Sequence, residues 1–284
     1  MNQTSTDQTV LAEMLCLADT KWVLGHWYAK IILNGRTVPD FSSMAGMAQD
    51  ELGHTRAIMN YLEQSNGLPE HQLEFGRRMD QIHNMQLLDQ APTSWADFVV
   101  TVYLAEHALW CMLESYTQGA SVAVSNFCRK FAEEGYFHRI YIEGWIAALD
   151  EEEKLEAVES LKARLDLARQ WFSTPDSEPL LESEVRTLSL AHCGVTFEQS
   201  VGKLTSLIGA ENVVVDASRT DTSWDSVRRR PEGSSMPARL WEYVVPTSEA
   251  AKMARRPLAV SIEDNIDLFN VKKVKDETAP FFDQ

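Results

Sequence analysis

Glu51 and His54 stand three positions apart in the run Gln49-Asp50-Glu51-Leu52-Gly53-His54. On a helix that spacing puts both side chains on one face, about a turn from each other. A carboxylate and an imidazole so placed can hold one metal ion together, and the carboxylate can reach on to a second. Taken alone, Glu-x-x-His is a common pattern of solvated side chains. Its setting between Met44, Met47 and Ile58 points instead to a face turned toward a core, where polar groups are costly unless paired or coordinating.

Partners for this pair are found further along the chain. Glu106 is the single acid in Val102-Tyr103-Leu104-Ala105-Glu106-His107-Ala108-Leu109-Trp110, which makes it the candidate ligand of its helix. His107, about 100° further round, reads as a packing residue. His138 closes the run Glu133-Glu134-Gly135-Tyr136-Phe137-His138 and is the natural counterpart of His54. An acid three residues before it would complete a second Glu-x-x-His, but that position is Gly135. Glu134, four residues before, shares the face and could ligate through a local π-bulge. Glu143 reads as a surface acid.

The first helix should also donate an acid. Glu13 and Asp19 are its candidates, yet neither faces the layer of Glu51, and the position that does is Lys21. A lysine there could replace a metal by an ion pair, or serve as an internal base or reactive amine. Trp22, Tyr103, Trp110, Tyr136 and Phe137 lie within a turn of these residues and could line an apolar pocket or simply fill the core, Tyr103 joining Lys21 as a catalytic candidate. His26 reads as a core histidine.

Positioning such a set requires several long helices. Apolar residues recur near the 3.6 period over 9–33, and Asn34-Gly35 and Pro39 break the pattern, with Gly35 suited to a C-terminal cap. A second helix is expected from Asp40 or Ser42 to about Ser65. Residues 73–89 read as irregular with one short helix, and further helices are expected over 94–118, 121–149 and 151–172. Shorter helices are expected over 183–192 and 196–208. The architecture is an all-α four-helix bundle over 1–175, additional packed helices over 176–209, and an irregular arm or small subdomain over 210–284. The basic run Arg228-Arg229-Arg230 falls in that arm and reads as a solvated loop.

The formal net charge is −16, from 42 acidic and 26 basic residues. Such a polyanion is repelled by nucleic acids and anionic membranes, so neither is an expected partner. Cys16, Cys111, Cys128 and Cys193 are widely separated, form no metal-binding or redox pair, and read as reduced thiols. With no signal-like N-terminal segment and no long uninterrupted apolar run, the expected location is the cytoplasm.

The segment 17–62, with Leu17-Ala18-Asp19-Thr20-Lys21-Trp22-Val23-Leu24-Gly25-His26 and Asp50-Glu51-Leu52-Gly53-His54, resembles the phenylacetyl-CoA epoxidase family. The spacing of the later helices extends the likeness over residues 10–172. The resemblance implies a ferritin-like fold, a carboxylate-bridged di-iron centre (manganese being the other metal considered), and O2 activation with electrons from a separate reductase. Catalytic members oxygenate the ring of an aromatic acyl-CoA, whereas structural members keep the fold without the ligands. Glu51, His54, Glu106 and His138 match the catalytic pattern; Lys21 and Gly135 stand where it has carboxylates. The expected function is a non-haem di-iron oxygenase or oxidase acting on a small organic molecule, in a homo- or hetero-oligomer. Two alternatives stay open: a metal-poor structural subunit of a multicomponent monooxygenase, and an oxidase with a single metal or a lysine-containing centre.

Overall fold

The computed structural model describes residues 3–173, 175, 177–210 and 223–245. Its fold is all-α, a helical bundle with extra helices around it. The long helices are α1 (Gln3–Ile31), α2 (Val38–Asn66), α4 (Trp95–Glu114), α5 (Val122–Ala147), α6 (Glu151–Gln170) and α8 (Leu190–Leu207). Short helices α3 (Glu70–Phe75), α7 (Pro179–Glu182) and α9 (Ala238–Val244) and a two-stranded ribbon, β1 (Trp224–Asp225) with β2 (Arg230–Pro231), complete the described elements.

α1 packs along α2, α4 packs along α5, and α2 meets α5 to close the four-helix core. α6 and α8 lie against α4 from outside. This explains why α4 is the most apolar helix. It is long and apolar enough to cross a membrane by composition, yet 94% of that window is buried inside the protein.

Local signals set the ends. α2 starts at a capping box in which the Thr37 side chain accepts from the Asp40 amide and Asp40 accepts from the Thr37 amide. The cap is therefore Thr37, ahead of the expected Asp40 or Ser42, and Pro39 is tolerated because a first-turn N–H has no helical partner. Asp150 caps α6 with the same kind of box, and the Ser94 side chain caps α4 by accepting from the Asp97 amide. Gly67 ends α2 in the left-handed conformation, φ 69°. Gly35 is not such a cap, since its φ is −57° and its ψ 143°. It is small because a Cβ there would sit 2.7 Å from Phe41 and 2.8 Å from Met44. Gly25 meets a similar limit inside the bundle, where a Cβ would fall 2.9 Å from Leu52 and 3.2 Å from Cβ of Glu51. Its absence lets α1 and α2 approach closely at the level of Glu51.

Between α2 and α4 the irregular stretch holds α3 and two 3-10 turns, Met79–Gln81 and Gln86–Asp89, as anticipated. The helix expected over 183–192 is absent: turns fill 183–189, and α8 starts at Leu190 behind the Ser189 cap. The four cysteines are free and buried.

The basic run in the arm is not a solvated loop. Arg229 and Arg230 are 2% and 1% exposed. Arg229 pairs with Glu13 at 2.6 Å and stacks on Trp171, Arg230 pairs with Asp89, and Arg228 donates to the Ile82 carbonyl. Buried charges persist only with such partners, which lie 141 to 216 residues away in the chain. Of the arm, residues 223–245 are thus seated on α1 and the α2–α4 connection; the remainder of 211–284 lies outside the described residues.

Candidate metal centre

At mid-bundle the apolar core is interrupted by polar side chains from all four helices. Lys21 comes from α1, Glu51 and His54 from α2, Glu106 from α4 and His138 from α5, and each is between 0% and 3% exposed. Their focus is one oxygen, Oε1 of Glu51. Lys21 Nζ lies 2.8 Å from it, and Nδ1 of His54 and Nδ1 of His138 each lie 3.7 Å from it. Lys21 also donates to Oε2 of Glu51 at 3.1 Å.

Glu106 completes the group. Its Oε1 is 2.9 Å from Nδ1 of His138 and accepts from the Tyr28 hydroxyl at 2.9 Å. One ligand atom each from Glu51, Glu106 and His138 can be chosen so that all lie within 4.8 Å of one another.

The outer nitrogens of the two histidines meet a second pair of acids. Nε2 of His54 lies 2.5 Å from Glu134, and Nε2 of His138 lies 3.2 Å from Asp50. Carboxylates in that position orient a ring so that its other nitrogen faces inward. Phe131 stacks on His54, with centroids 4.0 Å apart, and fixes the ring plane.

Electrostatics follow from burial and these contacts. Burial alone would raise the Glu51 carboxyl, but the Lys21 ammonium, His54 and His138 outweigh it and hold Glu51 below the usual carboxylate range. Burial disfavours a charged His138, yet the carboxylates of Glu106, Asp50 and Glu51 push it up to about 10. The hydrogen bond from His138 in turn lowers Asp50. Burial and the neighbouring Glu106 and Glu51 raise Tyr28, which stays a phenol and a donor.

Five residues expected from the sequence are thus brought together: Lys21, Glu51, His54, Glu106 and His138. Glu134 stands behind His54, on its outer nitrogen, with its side chain 35% exposed. It lies outside the Glu51–Glu106–His138 group. Tyr103 is not in the cluster: its hydroxyl donates to the Ser200 carbonyl on α8, and its ring stacks on His107. It sits about 60° round α4 from Glu106, on the side it shares with His107, and that side packs against α8. Tyr136 and Phe137 are exposed on α5. Glu13 and Asp19 serve structural pairs, with Arg229 and Arg77. His26 and His107 each bond a carbonyl four residues back, as core histidines do.

Two members had no reading as site residues. Tyr28 lies seven residues, two turns, after Lys21, and so on its face. In sequence it is indistinguishable from core aromatics. Asp50 directly precedes Glu51 in the same motif, and its side chain is 45% exposed.

The donor set is two carboxylates and two imidazoles on a dry helical core, which suits a non-haem iron or a similar divalent ion. His54 Nδ1 is buried without a hydrogen-bond partner, an acceptor or donor aimed at the cluster and left for something else. The residues therefore fit one cation. For a second, the α1 carboxylate is replaced by Lys21, and the α5 carboxylate by Gly135 with Glu134 turned outward.

The profile of the phenylacetic acid catabolic protein family matches residues 1–212. The chain belongs to that family. Its match covers the whole bundle, all the residues of the centre and α8. No curated protein matches the chain. Membership of the phenylacetic acid catabolic family and a buried Glu-Glu-His cluster together give a ferritin-like bundle with a metal-binding type of site.

Proposed function

We propose that this chain is an O2-dependent non-haem iron oxidase or oxygenase acting on a small organic molecule, with electrons from an external donor. The observation that supports it best is the convergence of Glu51, Glu106 and His138 at the centre of the bundle, all buried. These three would hold the first iron, with His54 Nδ1 as a fourth donor. A second iron, as in the di-iron centre the family resemblance implies, would need further carboxylates, for which Glu134 is the nearest candidate, and would require Lys21 to leave Glu51.

When bound, iron supplies the electrons for O2 reduction. The surrounding residues set the conditions. Tyr28 holds Glu106 in one orientation through its hydroxyl. Asp50 and Glu134 hold the two imidazoles by their outer nitrogens. Phe131, Phe98 and the other buried side chains around the cluster exclude water, which strengthens each charge interaction inside. The Lys21 ammonium balances the charge of Glu51 and is placed to donate a proton at its Nζ.

A second reading, a metal-poor structural subunit, is favoured by the same Lys21–Glu51 pair, because an ammonium there does the electrostatic work of a cation. Elemental analysis after anaerobic reconstitution with Fe(II) separates the two. About one iron per chain supports the single filled site, and about two support the full di-iron centre. None in a well-folded protein would replace the enzyme reading by the structural one.

A further inference from the structure

Outside the cluster, between α2 and α5, a surface groove of about 440 Å³ opens directly over His138. That volume is in the range of small-molecule sites. Ser43, Gly46 and Asp50 form its α2 wall, and Phe137, His138 and Tyr141 its α5 wall. It is the one route among the described pockets that reaches a residue of the buried triad.

Its chemistry is uneven. No lysine or arginine lines it, and Asp50 supplies a carboxylate at its floor, 3.2 Å from Nε2 of His138. Two basic groups of α5 are engaged elsewhere: Lys130 pairs with Glu134 and Arg139 lies over the Trp110 ring. Phe137 and Tyr141 are 63% and 47% exposed, so two aromatic faces stand free beside the carboxylate. Opposite them Gly46 leaves open space, with nothing within 4 Å of where a Cβ would be. A carboxylate flanked by aromatic faces attracts a cation and repels an anion. The one cationic group a phosphate or carboxylate ligand would meet in this lining is His138, which is 3% exposed with its Nε2 already held by Asp50.

We propose that this groove is the substrate port of the centre and that it takes a small molecule joining an apolar ring to a protonated amine. The ammonium would pair with Asp50 and the ring would lie on Phe137 and Tyr141 in the space over Gly46. The proposal rests on the metal-centre reading for its consequence, but the binding itself does not need the metal.

The test is equilibrium binding of three probes to the full chain, with Fe(II) and after chelation: 2-phenylethylammonium, 2-phenylethanol and 3-phenylpropanoate. The ammonium should bind about tenfold or more tightly than the carboxylate. Asp50→Asn keeps an acceptor for His138 but removes the charge, so it should erase that preference while leaving the alcohol unchanged. Gly46→Leu fills the groove and should weaken all three. Equal or tighter binding of the carboxylate, or indifference to Gly46→Leu, overturns the proposal. Selective binding in a protein that takes up no iron would leave the port standing and sink the oxidase reading. Iron uptake with no selectivity would do the reverse.

Discussion

Lys21 Nζ sits 2.8 Å and 3.1 Å from the two carboxylate oxygens of Glu51, inside a bundle where the two side chains are 1% and 0% exposed. An ammonium on α1 thus holds a carboxylate of the Glu51–Glu106–His138 group. Its closeness depends on Gly25, one turn further along α1, which lets the two helices meet at that level.

Lys21→Met should leave Glu51 buried and unpaired, at a cost of about 3–5 kcal/mol. A divalent cation should return much of that loss, because it supplies the charge the lysine had supplied. Thermal unfolding of the variant with and without Fe(II) or Mn(II) measures this. A Tm unmoved by either metal would mean that the cluster cannot hold one.

Lys21→Glu goes a step further and restores a carboxylate on α1. Iron uptake should rise from about one toward about two per chain, the stoichiometry of bundle di-metal centres. Adding Gly135→Glu should help, since a Cβ there meets only the end of Arg139, at 3.5 Å. Unchanged or lower uptake in the double variant would show that Lys21 does not occupy a ligand position.

Glu106 and Glu134 should separate on substitution. Glu106→Gln removes a donor of the triad and should abolish metal uptake with the fold intact. Glu134→Ala removes a group that orients His54 from outside, so affinity should fall about 10–100-fold and uptake persist at high metal. Titrations of both variants with Fe(II) decide whether Glu134 orients or ligates; complete loss in Glu134→Ala would make it a ligand.

The seat of the arm should be acid-sensitive. Burial raises the Glu13 carboxyl, but Arg229, Arg186 and the Tyr116 hydrogen bond bring it below its ordinary value of 4.5. A folded value below the unfolded one stabilises the protein above that range, and the contribution disappears as pH falls through the folded value. Glu13→Gln should therefore cost about 3–5 kcal/mol at neutral pH and flatten the acid limb of the stability profile. Denaturant unfolding from pH 7 down to about pH 3 tests it. Parallel curves for the two proteins would show that Glu13 carries no acid sensitivity.

Gly25→Ala should be costly for its size. The added methyl would press on Leu52 and on Glu51 itself, so about 1–3 kcal/mol should be lost by overpacking. Metal uptake should fall with it. A variant as stable as the parent would mean that α1 and α2 separate easily at this level.

The sequence by itself determined the helices and the polar members of the centre. Long 3.6-period segments with capping residues need little tertiary information, and an acid such as Glu106 in an apolar run declares that it must be partnered. Glu51, His54 and His138 were legible for the same reason: polar groups on apolar faces are costly, so their presence there carries meaning. The tertiary structure decided who meets whom. Nothing in the spacing of Lys21 says that it closes on Glu51, or that Tyr28, outwardly a core aromatic, bonds Glu106. Tyr103 looked like a neighbour of the site because it lies within a turn of Glu106, but the side of α4 that it shares with His107 is covered by α8. The arginines 228–230 misled for a related reason. A basic run reads as solvated until its counter-charges are known, and Glu13 and Asp89 are brought to it only by the path of the folded chain. Helical periodicity is a local property, whereas charge pairing is a relation between distant segments, and only the fold makes such segments neighbours.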